Sequence, residues 1–390
     1  MNRNPFIITE EYVSPEYFCD REFEASVLRS NILNGRNTVL ISPRRMGKSG
    51  LVAHVIREKS IAESFLTFSI DLFPTSSFAE MILMLSNEIV GRMKSREKRF
   101  IDTFVSVVKS LRPGVKMNPV TGEWEFNLSL GEIVSPRDSL AEIFQYLQDS
   151  ALPCVVAIDE FQQIADYPET NVAALLRSHV SKCTNCRFIF AGSSRRMMDK
   201  LFNSPSEPFY MSCSPLHLDV IDREKYWEFS ARHFEAGGRT IARECFDAVY
   251  DCFEGHTWYV QRLLNELYER AGISGKADYD DFQDALEYVV RLSGKSFEEQ
   301  FRTYPEAQKE LLIAIAKDGK AAAITSVAFV RKHALKSPST VQSAARPLYE
   351  KEIITKPDGF YSITNRLFAI WLRNRYSPLS PLPRTRTSTR

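Results

Sequence analysis

Residues 38–50, Thr-Val-Leu-Ile-Ser-Pro-Arg-Arg-Met-Gly-Lys-Ser-Gly, decide how this sequence folds. Thr38–Ile41 is a short apolar run with a β-branched residue at each end, which predicts a buried strand. A loop, residues 42–47, follows this strand, and a helix is predicted from Lys48 to about Lys59. A loop that opens a helix places the unpaired N–H groups of the first helical turn beside it.

The loop nearly matches the phosphate-binding pattern G-x-x-x-x-G-K-[ST], with Ser42 in place of the first glycine. In this context the backbone would surround the phosphates of ATP. The predicted ATP-binding residues are Ser42, Pro43, Arg44, Arg45, Met46, Gly47, Lys48, Ser49 and Gly50. Lys48 would place its charge on the β- and γ-phosphates, and the Ser49 hydroxyl would ligate Mg²⁺. The alternative is an ordinary glycine turn followed by a surface lysine.

A second apolar strand, residues 154–158, ends at Asp159-Glu160, and a helix is predicted from there to about Lys182. Ligands of open α/β folds bind at the carboxyl ends of such strands. Asp159 would therefore hold Mg²⁺ through water, and Glu160 would orient the attacking water or accept its proton. With Lys48, these carboxylates form the predicted catalytic set. The alternative is that they only cap a helix.

Two further strands are predicted, at residues 65–70 and 187–191. Four strands that alternate with helices predict a mostly parallel sheet covered on both faces. The last strand is followed by Ser193, Ser194 and Arg195, which are candidates for sensing the γ-phosphate. A serine at this place can equally be a helix N-cap, and the arginine can be merely solvated.

A charged helix over about 78–112 and a β-hairpin interrupt the alternating pattern. The hairpin strands are predicted at 115–118 and 123–130, with a turn at Pro119-Val-Thr-Gly122. We interpret about 78–135 as an insertion. A lone C-x-x-C, Cys183–Cys186, has no second pair to complete a zinc site, so two free thiols are the favoured interpretation.

Composition bounds the remaining possibilities. The chain has 390 residues, 44% of them hydrophobic, which predicts two or three globular domains and excludes global disorder. No apolar run reaches the roughly 18–20 residues of a membrane span, and no secretory signal is visible. Seven scattered cysteines favour reduced thiols in the cytoplasm. Residues 305–376 contain twelve Lys or Arg against six Asp or Glu, which indicates nucleic acid or an acidic surface as a partner.

The sequence resembles the AAA+-related STAND ATPases, in particular the archaeal-type ATPase family, over about residues 5–375. The resemblance is carried by several motifs: Asp20-Arg-Glu-Phe-Glu24, Pro43-Arg-Arg-Met-Gly-Lys-Ser49, Ile158-Asp-Glu-Phe161, Ala191-Gly-Ser-Ser194, Gly255-His256 and Tyr361-Ser-Ile-Thr through Trp371-Leu. It implies an α/β P-loop NTPase of the ASCE or AAA+ type, with parallel sheet order 5-1-4-3-2. A helical lid and a winged helix would follow.

The resemblance places the P-loop ATPase domain at 1–220, the lid at 221–300 and the winged helix at 301–376. Residues 377–390 would be a disordered basic tail. The sequence departs from the family where an arginine finger and a lid arginine are expected, since Tyr210-Met-Ser212 and Trp258-Tyr259 stand there. We therefore expect slow rather than rapid hydrolysis.

The recognition helix of the winged helix is predicted to begin at Ser337-Pro338, a good N-cap and first-turn pair. Val341, Ala344, Ala345 and Leu348 would form its buried stripe. Lys332, Lys336 and Arg346 are then the candidates for DNA contacts. The alternative is a winged helix that contacts only protein.

These features predict an ATP-binding protein with slow Mg²⁺-dependent hydrolysis that acts as a nucleotide-gated switch. One alternative is a DNA-binding ATPase that resembles origin-recognition or transposition helpers. Another is a nucleotide-binding scaffold without turnover. The sequence does not define the oligomeric state, the signal or the partner.

Overall fold

The computed structural model describes residues 4–8, 14–94, 104, 108, 111–117, 124–133, 135–272 and 275–377. The chain divides into two compact units: residues 9–222 form the first, and residues 1–8 join residues 223–390 in the second. Within the described ranges, no helix combines the length and the apolar character needed to cross a membrane.

The first unit alternates helices and strands, as the sequence predicts. In chain order its elements are α1 (Glu22–Leu33), β1 (Thr38–Ile41), α2 (Lys48–Arg57), α3 (Lys59–Ala62), β2 (Leu66–Asp71), α4 (Phe78–Lys94), β3 (Leu111–Met117), β4 (Trp124–Ile133), α5 (Pro136–Gln148), β5 (Cys154–Asp159), α6 (Val172–Lys182), β6 (Cys186–Gly192), α7 (Arg195–Asn203) and β7 (Ser214–His217). Five of the strands form one sheet in the order β2-β5-β6-β1-β7, with parallel pairing throughout. This is the predicted order 5-1-4-3-2 read from the opposite edge, so the predicted fold class is confirmed.

Strand β1 lies inside this sheet and is buried on both faces. Because successive residues of a strand point to opposite sides, Val39 and Ile41 join one apolar cluster and Leu40 joins the other. All four of its residues are buried. The loop that follows β1 therefore begins at a strand that is buried in the interior of the sheet.

The structure contains the two predicted hairpin strands, and both are longer than predicted. Strands β3 and β4 pair antiparallel, with Met117 opposite Trp124. The predicted turn lies outside the described residues, as does most of the predicted helix beyond Lys94. That helix cannot reach residue 112, because residues 111 and 112 already belong to β3.

The helix predicted between Glu160 and Lys182 is wrong in its first half. A 3₁₀ helix spans Phe161–Asp166, and the α-helix begins only at Val172. Pro168 lies between the two segments, and a proline inside a helix removes a backbone hydrogen bond. Asn171 then takes a left-handed conformation, with φ of 67°, before α6 starts.

The second unit is mostly helical. In chain order its elements are α8 (Arg223–Ala236), β8 (Thr240–Ile241), α9 (Arg243–Cys252), α10 (Thr257–Ala271), β9 (Lys276–Ala277), α11 (Tyr279–Leu292), α12 (Gly294–Arg302), α13 (Glu306–Asp318), α14 (Val327–Lys332), α15 (Pro338–Glu350), β10 (Ile354–Thr355), β11 (Ser362–Ile363) and α16 (Arg366–Tyr376). The pair of short parallel strands β8 and β9 was not predicted. Strands β10 and β11 pair antiparallel and form the wing.

Helix α15 begins and packs as the sequence predicts. The Ser337 hydroxyl accepts a hydrogen bond from the backbone N–H of Thr340 at 3.2 Å, which caps the helix. The predicted stripe is buried, and its residues are Val341, Ala344, Ala345 and Leu348.

Residues 4–8 pack into the second unit rather than the first. The Phe6 side chain is fully buried, and its ring lies 5.5 Å from that of Phe234 and 5.9 Å from that of Tyr268. The Asn265 side-chain amide donates to the Phe6 carbonyl at 2.8 Å. The second unit is therefore assembled from two distant parts of the chain.

Candidate functional site

The loop between β1 and α2 is hydrogen-bonded to β6 at its first residue and turns sharply at its later residues. The Ser42 N–H donates to the Gly192 carbonyl at the end of β6, at 3.3 Å. The left-handed conformations of the loop occur at Arg45, with φ of 67°, and at Gly47, with φ of 92°. Ser42 does not adopt one, so this position needs only a small side chain and no glycine. Ser42 meets that requirement and is itself buried.

Lys48 connects this loop to the two carboxylates that follow β5. Its ammonium group contacts Oδ1 of Asp159 and lies 3.2 Å from Oε1 of Glu160. Lys48 is only 6% exposed. Because water is largely excluded, the attraction between these charges is stronger than on an open surface. The structure thus brings together the three predicted catalytic residues.

Asp159 contacts both Lys48 and Ser49, the first two residues of α2. The Ser49 hydroxyl donates to Oδ2 of Asp159 at 2.5 Å. A hydroxyl and a carboxylate side by side are the oxygen ligands that Mg²⁺ accepts, usually together with waters and substrate phosphates. Ser49 and Asp159 therefore fit a magnesium ion, which would neutralise phosphate charge there when bound.

Glu160 adopts a left-handed backbone conformation, with φ of 49°, that is unusual for a residue other than glycine. Such strain costs of order 1–3 kcal/mol and is concentrated at functional sites. Its Oε2 accepts hydrogen bonds from the Ser193 hydroxyl at 2.6 Å and from the Gln162 amide at 2.5 Å. The Glu160 carboxylate is thus held in one orientation at the sheet edge.

Ser193 extends this network to the loop. Its hydroxyl oxygen accepts a hydrogen bond from Nε of Arg44 at 3.3 Å. The Arg44 guanidinium also lies over the exposed ring of Phe73, 5.5 Å from the ring centre. Of the three sensor candidates, Ser193 is therefore the one in contact with Glu160 and with the loop.

The other two sensor candidates are placed differently. The Ser194 hydroxyl is buried and, among the described residues, has no hydrogen-bond partner. It precedes α7 but does not cap it through its side chain. Arg195 is 75% exposed and lies 3.8 Å from Asp199 on its own helix. Arg195 contacts neither Asp159 nor Glu160, and its role as a sensor remains a prediction.

Sequence reasoning missed a third carboxylate. Asp71 ends β2 and pairs in register with Asp159. Partial burial raises the pKa of Asp71, and the charges of Asp159 and Glu160 raise it further, although the Phe73 N–H donates to its carboxylate. The sequence does contain a pattern that could have indicated Asp71, because an acidic residue directly follows the predicted strand at residues 65–70. Neighbouring parallel strands end at the same edge of a sheet, so this carboxylate was a candidate for the same site.

Arg21 belongs to the Asp20–Glu24 motif, and the structure shows which groups it contacts. It is buried and donates to the Asp219 carbonyl at 2.6 Å and to the Met46 carbonyl of the loop at 3.4 Å. It also pairs with Glu24 at 3.0 Å. Arg21 therefore ties the start of α1 to the loop and to the segment after β7.

The three candidate DNA contacts lie in the second unit. Lys332 donates to Asp318 at 2.7 Å, and Arg346 pairs with Glu350 at 2.9 Å while remaining 81% exposed. Lys336 is exposed just before α15. Lys332 and Arg346 thus have part of their charge balanced within the unit.

Comparison with known proteins agrees with this architecture. Residues 295–374 match the family model described as "Probable winged helix domain". No curated protein matches the chain. Among solved structures, a Walker-type ATPase of Pyrococcus abyssi shares 20% identity, with a TM-score of 0.65 over 95% of this chain and 99% of that one.

Two further similar structures come from Aeropyrum pernix. Its ORC2 protein, in ADPNP–ADP complexes, is 14% identical, with a TM-score of 0.58 over 95% of this chain and 97% of that one. Its ORC1 protein, in complex with DNA, is 14% identical, with a TM-score of 0.52 over 96% and 97%. These likenesses show the fold: a P-loop ATPase architecture with a C-terminal winged helix. The fold that the resemblance implies is therefore confirmed.

Proposed function

We propose that this chain binds ATP with Mg²⁺ at the loop of residues 42–50 and hydrolyses it slowly, as a nucleotide-gated switch. The observation that carries the proposal is the meeting of Lys48, Ser49, Asp159 and Glu160 at the carboxyl edge of one parallel sheet. A structural ion pair would explain a lysine beside one carboxylate. It would not explain two carboxylates, a hydroxyl and a loop that opens a helix at the same point.

Each side chain has a distinct role in this proposal. Lys48 attracts the β- and γ-phosphates, and the backbone N–H groups at the start of α2 donate to phosphate oxygens. Ser49 and Asp159 would hold the metal ion. Glu160 orients the attacking water and takes up its proton, and Ser193 keeps the Glu160 carboxylate in place.

The test is to measure ATP affinity by calorimetry with and without Mg²⁺, and phosphate release from the same protein. Mg²⁺-dependent binding with slow release supports the proposal. Binding without any release identifies the scaffold alternative. No binding of ATP to folded protein at millimolar nucleotide would overturn the site altogether.

The Asp159→Asn variant separates the metal site from the phosphate site. We expect ATP affinity measured with Mg²⁺ to fall at least tenfold, because an amide is a weaker ligand for a hard cation. Affinity measured in EDTA should change much less. Asp166→Asn is a control from the 3₁₀ segment that follows. Equal loss in both conditions would mean that Asp159 only positions Lys48.

A DNA-binding ATPase is the second candidate, favoured by the winged helix and its exposed cations. The Aeropyrum pernix ORC1 structure is a complex with DNA. The helix α15 offers Arg346 as its one strong base-reading side chain in the part that the structure describes, so phosphate contacts would dominate. Such binding would be nearly indifferent to sequence.

We expect that binding to weaken with salt, with a slope of log affinity against log salt near −0.9 per phosphate neutralised. Reversing the charge at Lys336 should flatten the slope by about one such contact. Lys332 should matter less, because Asp318 already pairs with it. A protein ending at residue 376 removes the tail arginines, and Lys59→Glu controls for net charge. No binding at micromolar protein and low salt would favour a protein partner instead.

The remaining parts of the proposal concern organisation and location. We propose an ATPase domain at 1–220, of which residues 1–8 pack in the second unit, a lid at 221–300 and a winged helix at 301–376. The grouping of residues 223–390 into one unit supports the first of these boundaries. All seven cysteines carry free thiols, which supports a reducing, cytoplasmic location.

A further inference from the structure

A cavity of about 520 Å³ lies inside the second unit, where helices from the lid face α13 and α16. Its apolar walls are Tyr279, Phe282, Ile315, Ile363 and Ile370. Pockets for small molecules are commonly about 300–1,000 Å³ and lined mainly by apolar side chains with a few polar groups. The cavity is thus of suitable size and character for a small organic ligand.

Most of the charges that line this cavity are already balanced. Glu254 pairs with Lys320 at 2.7 Å and with Arg366 at 2.7 Å. Asp251 contacts Arg223, and Asp318 pairs with Lys332 at 2.7 Å. All three lining carboxylates therefore have cationic partners.

Arg373 is the exception among the charged side chains of the lining. It is half-buried on α16, and its guanidinium makes no hydrogen bond or ion pair with any residue within the described ranges. By contrast Arg375, two positions further along, pairs with Glu298 at 3.4 Å and lies over the Trp371 ring. A guanidinium carries five donors, and leaving them without acceptors in a partly desolvated place is costly.

The neighbouring thiol does not compensate this charge. Burial raises the pKa of Cys252 to about 12, although the positive charges of Arg373 and Arg366 act to lower it. Cys252 is therefore neutral at pH 7. The cavity thus combines apolar walls with one positive charge that lacks a counter-ion.

We propose that this cavity binds a small amphipathic monocarboxylate, with its carboxylate on Arg373 and its apolar body against the walls. The planar guanidinium matches a carboxylate in a bidentate arrangement. A dianionic headgroup such as a phosphate monoester is disfavoured, because Asp251, Glu254 and Asp318 also line the space. The proposal does not depend on nucleotide binding in the first unit.

Decanoate serves as the probe, with decan-1-ol as its uncharged counterpart and decyl phosphate as the dianionic one. Calorimetry on the full chain should show one decanoate site, with both counterparts binding at least tenfold more weakly. Arg373→Gln should weaken decanoate binding by about tenfold to a hundredfold, the range of a charge-assisted hydrogen bond. The matched control, Arg375→Gln, should leave it unchanged.

A second variant tests the location independently of charge. Ala369 lines the cavity on the same helix, and Ala369→Phe should exclude decanoate by filling the space. Thermal unfolding of each variant checks that it is folded. Three outcomes would each overturn the proposal: no saturable decanoate binding, unchanged affinity in folded Arg373→Gln, or tighter binding of decyl phosphate than of decanoate.

Discussion

Lys48→Ala should abolish tight ATP binding. The loss of one phosphate-facing charge costs on the order of 1.5–3 kcal/mol or more, which is at least a tenfold loss of affinity. The structure adds a second effect, because Asp159 and Glu160 would then face incoming phosphate without the cation that now lies between them. Calorimetric titration with ATP and Mg²⁺ measures the change directly.

Two companion variants make this result interpretable. Lys59→Ala removes an exposed lysine that lies 3.8 Å from Glu63, and should bind ATP as the wild type does. Lys48→Arg keeps the charge beside the carboxylates and reports whether the fold tolerates change at this position. If folded Lys48→Ala binds ATP with unaltered affinity, the loop is not the phosphate site.

Glu160→Gln should retain ATP and lose its cleavage. The amide keeps the shape of the side chain but lacks its basicity, and general-base catalysis is typically worth about 10²–10⁴-fold in rate. The Ser193 hydroxyl can still donate to the amide oxygen in the Oε2 position. The amide NH2 group then stands in the Oε1 position, where it cannot accept from Lys48. Single-turnover phosphate release, with ATP affinity measured in parallel, checks both parts.

Glu63→Gln is the control for this experiment, since Glu63 is exposed at the end of α3. Hydrolysis by Glu160→Gln at the wild-type rate would show that Glu160 is a structural residue. Loss of ATP affinity together with loss of cleavage would instead indicate that Glu160 shapes the binding site.

The sequence predicted the centre of the first unit well, for a physical reason. β1, the loop and the start of α2 are contiguous, and their pattern is local: a buried run, small or turn-forming residues, then a helix. The carboxylates after β5 follow from the same logic, because apolar strands that end in acids place them at the sheet edge. These parts needed no knowledge of distant packing.

The fifth strand shows where such reasoning fails. β7 has four residues, includes Pro215 and buries only Leu216. It lies at the edge of the sheet and pairs with β1 alone. An edge strand of this kind has neither a continuous apolar run nor clear alternation, so only the resemblance indicated it.

Contacts between residues that are distant in the sequence could not be predicted from local patterns either. Arg21 is buried because it reaches backbone carbonyls after β7 and in the loop, and no local pattern distinguishes such an arginine from a solvated one. Asp71 follows the predicted strand at residues 65–70, and only its register with Asp159 shows that it lies beside the other two carboxylates. In both cases the surroundings of the residue are set by neighbours that are distant in the sequence.

The burial of Phe6 has a consequence for how this protein is made. Its partners on α8 and α10 lie more than 220 positions further along the chain. During synthesis the amino-terminal segment can therefore pack only after α8 and α10 have been translated. The unit of residues 9–222 can fold before that point. A fragment that starts at residue 223 would lack this ring, and an unfilled phenylalanine site costs about 3–5 kcal/mol. Supplying residues 1–8 as a separate peptide should restore part of that stability.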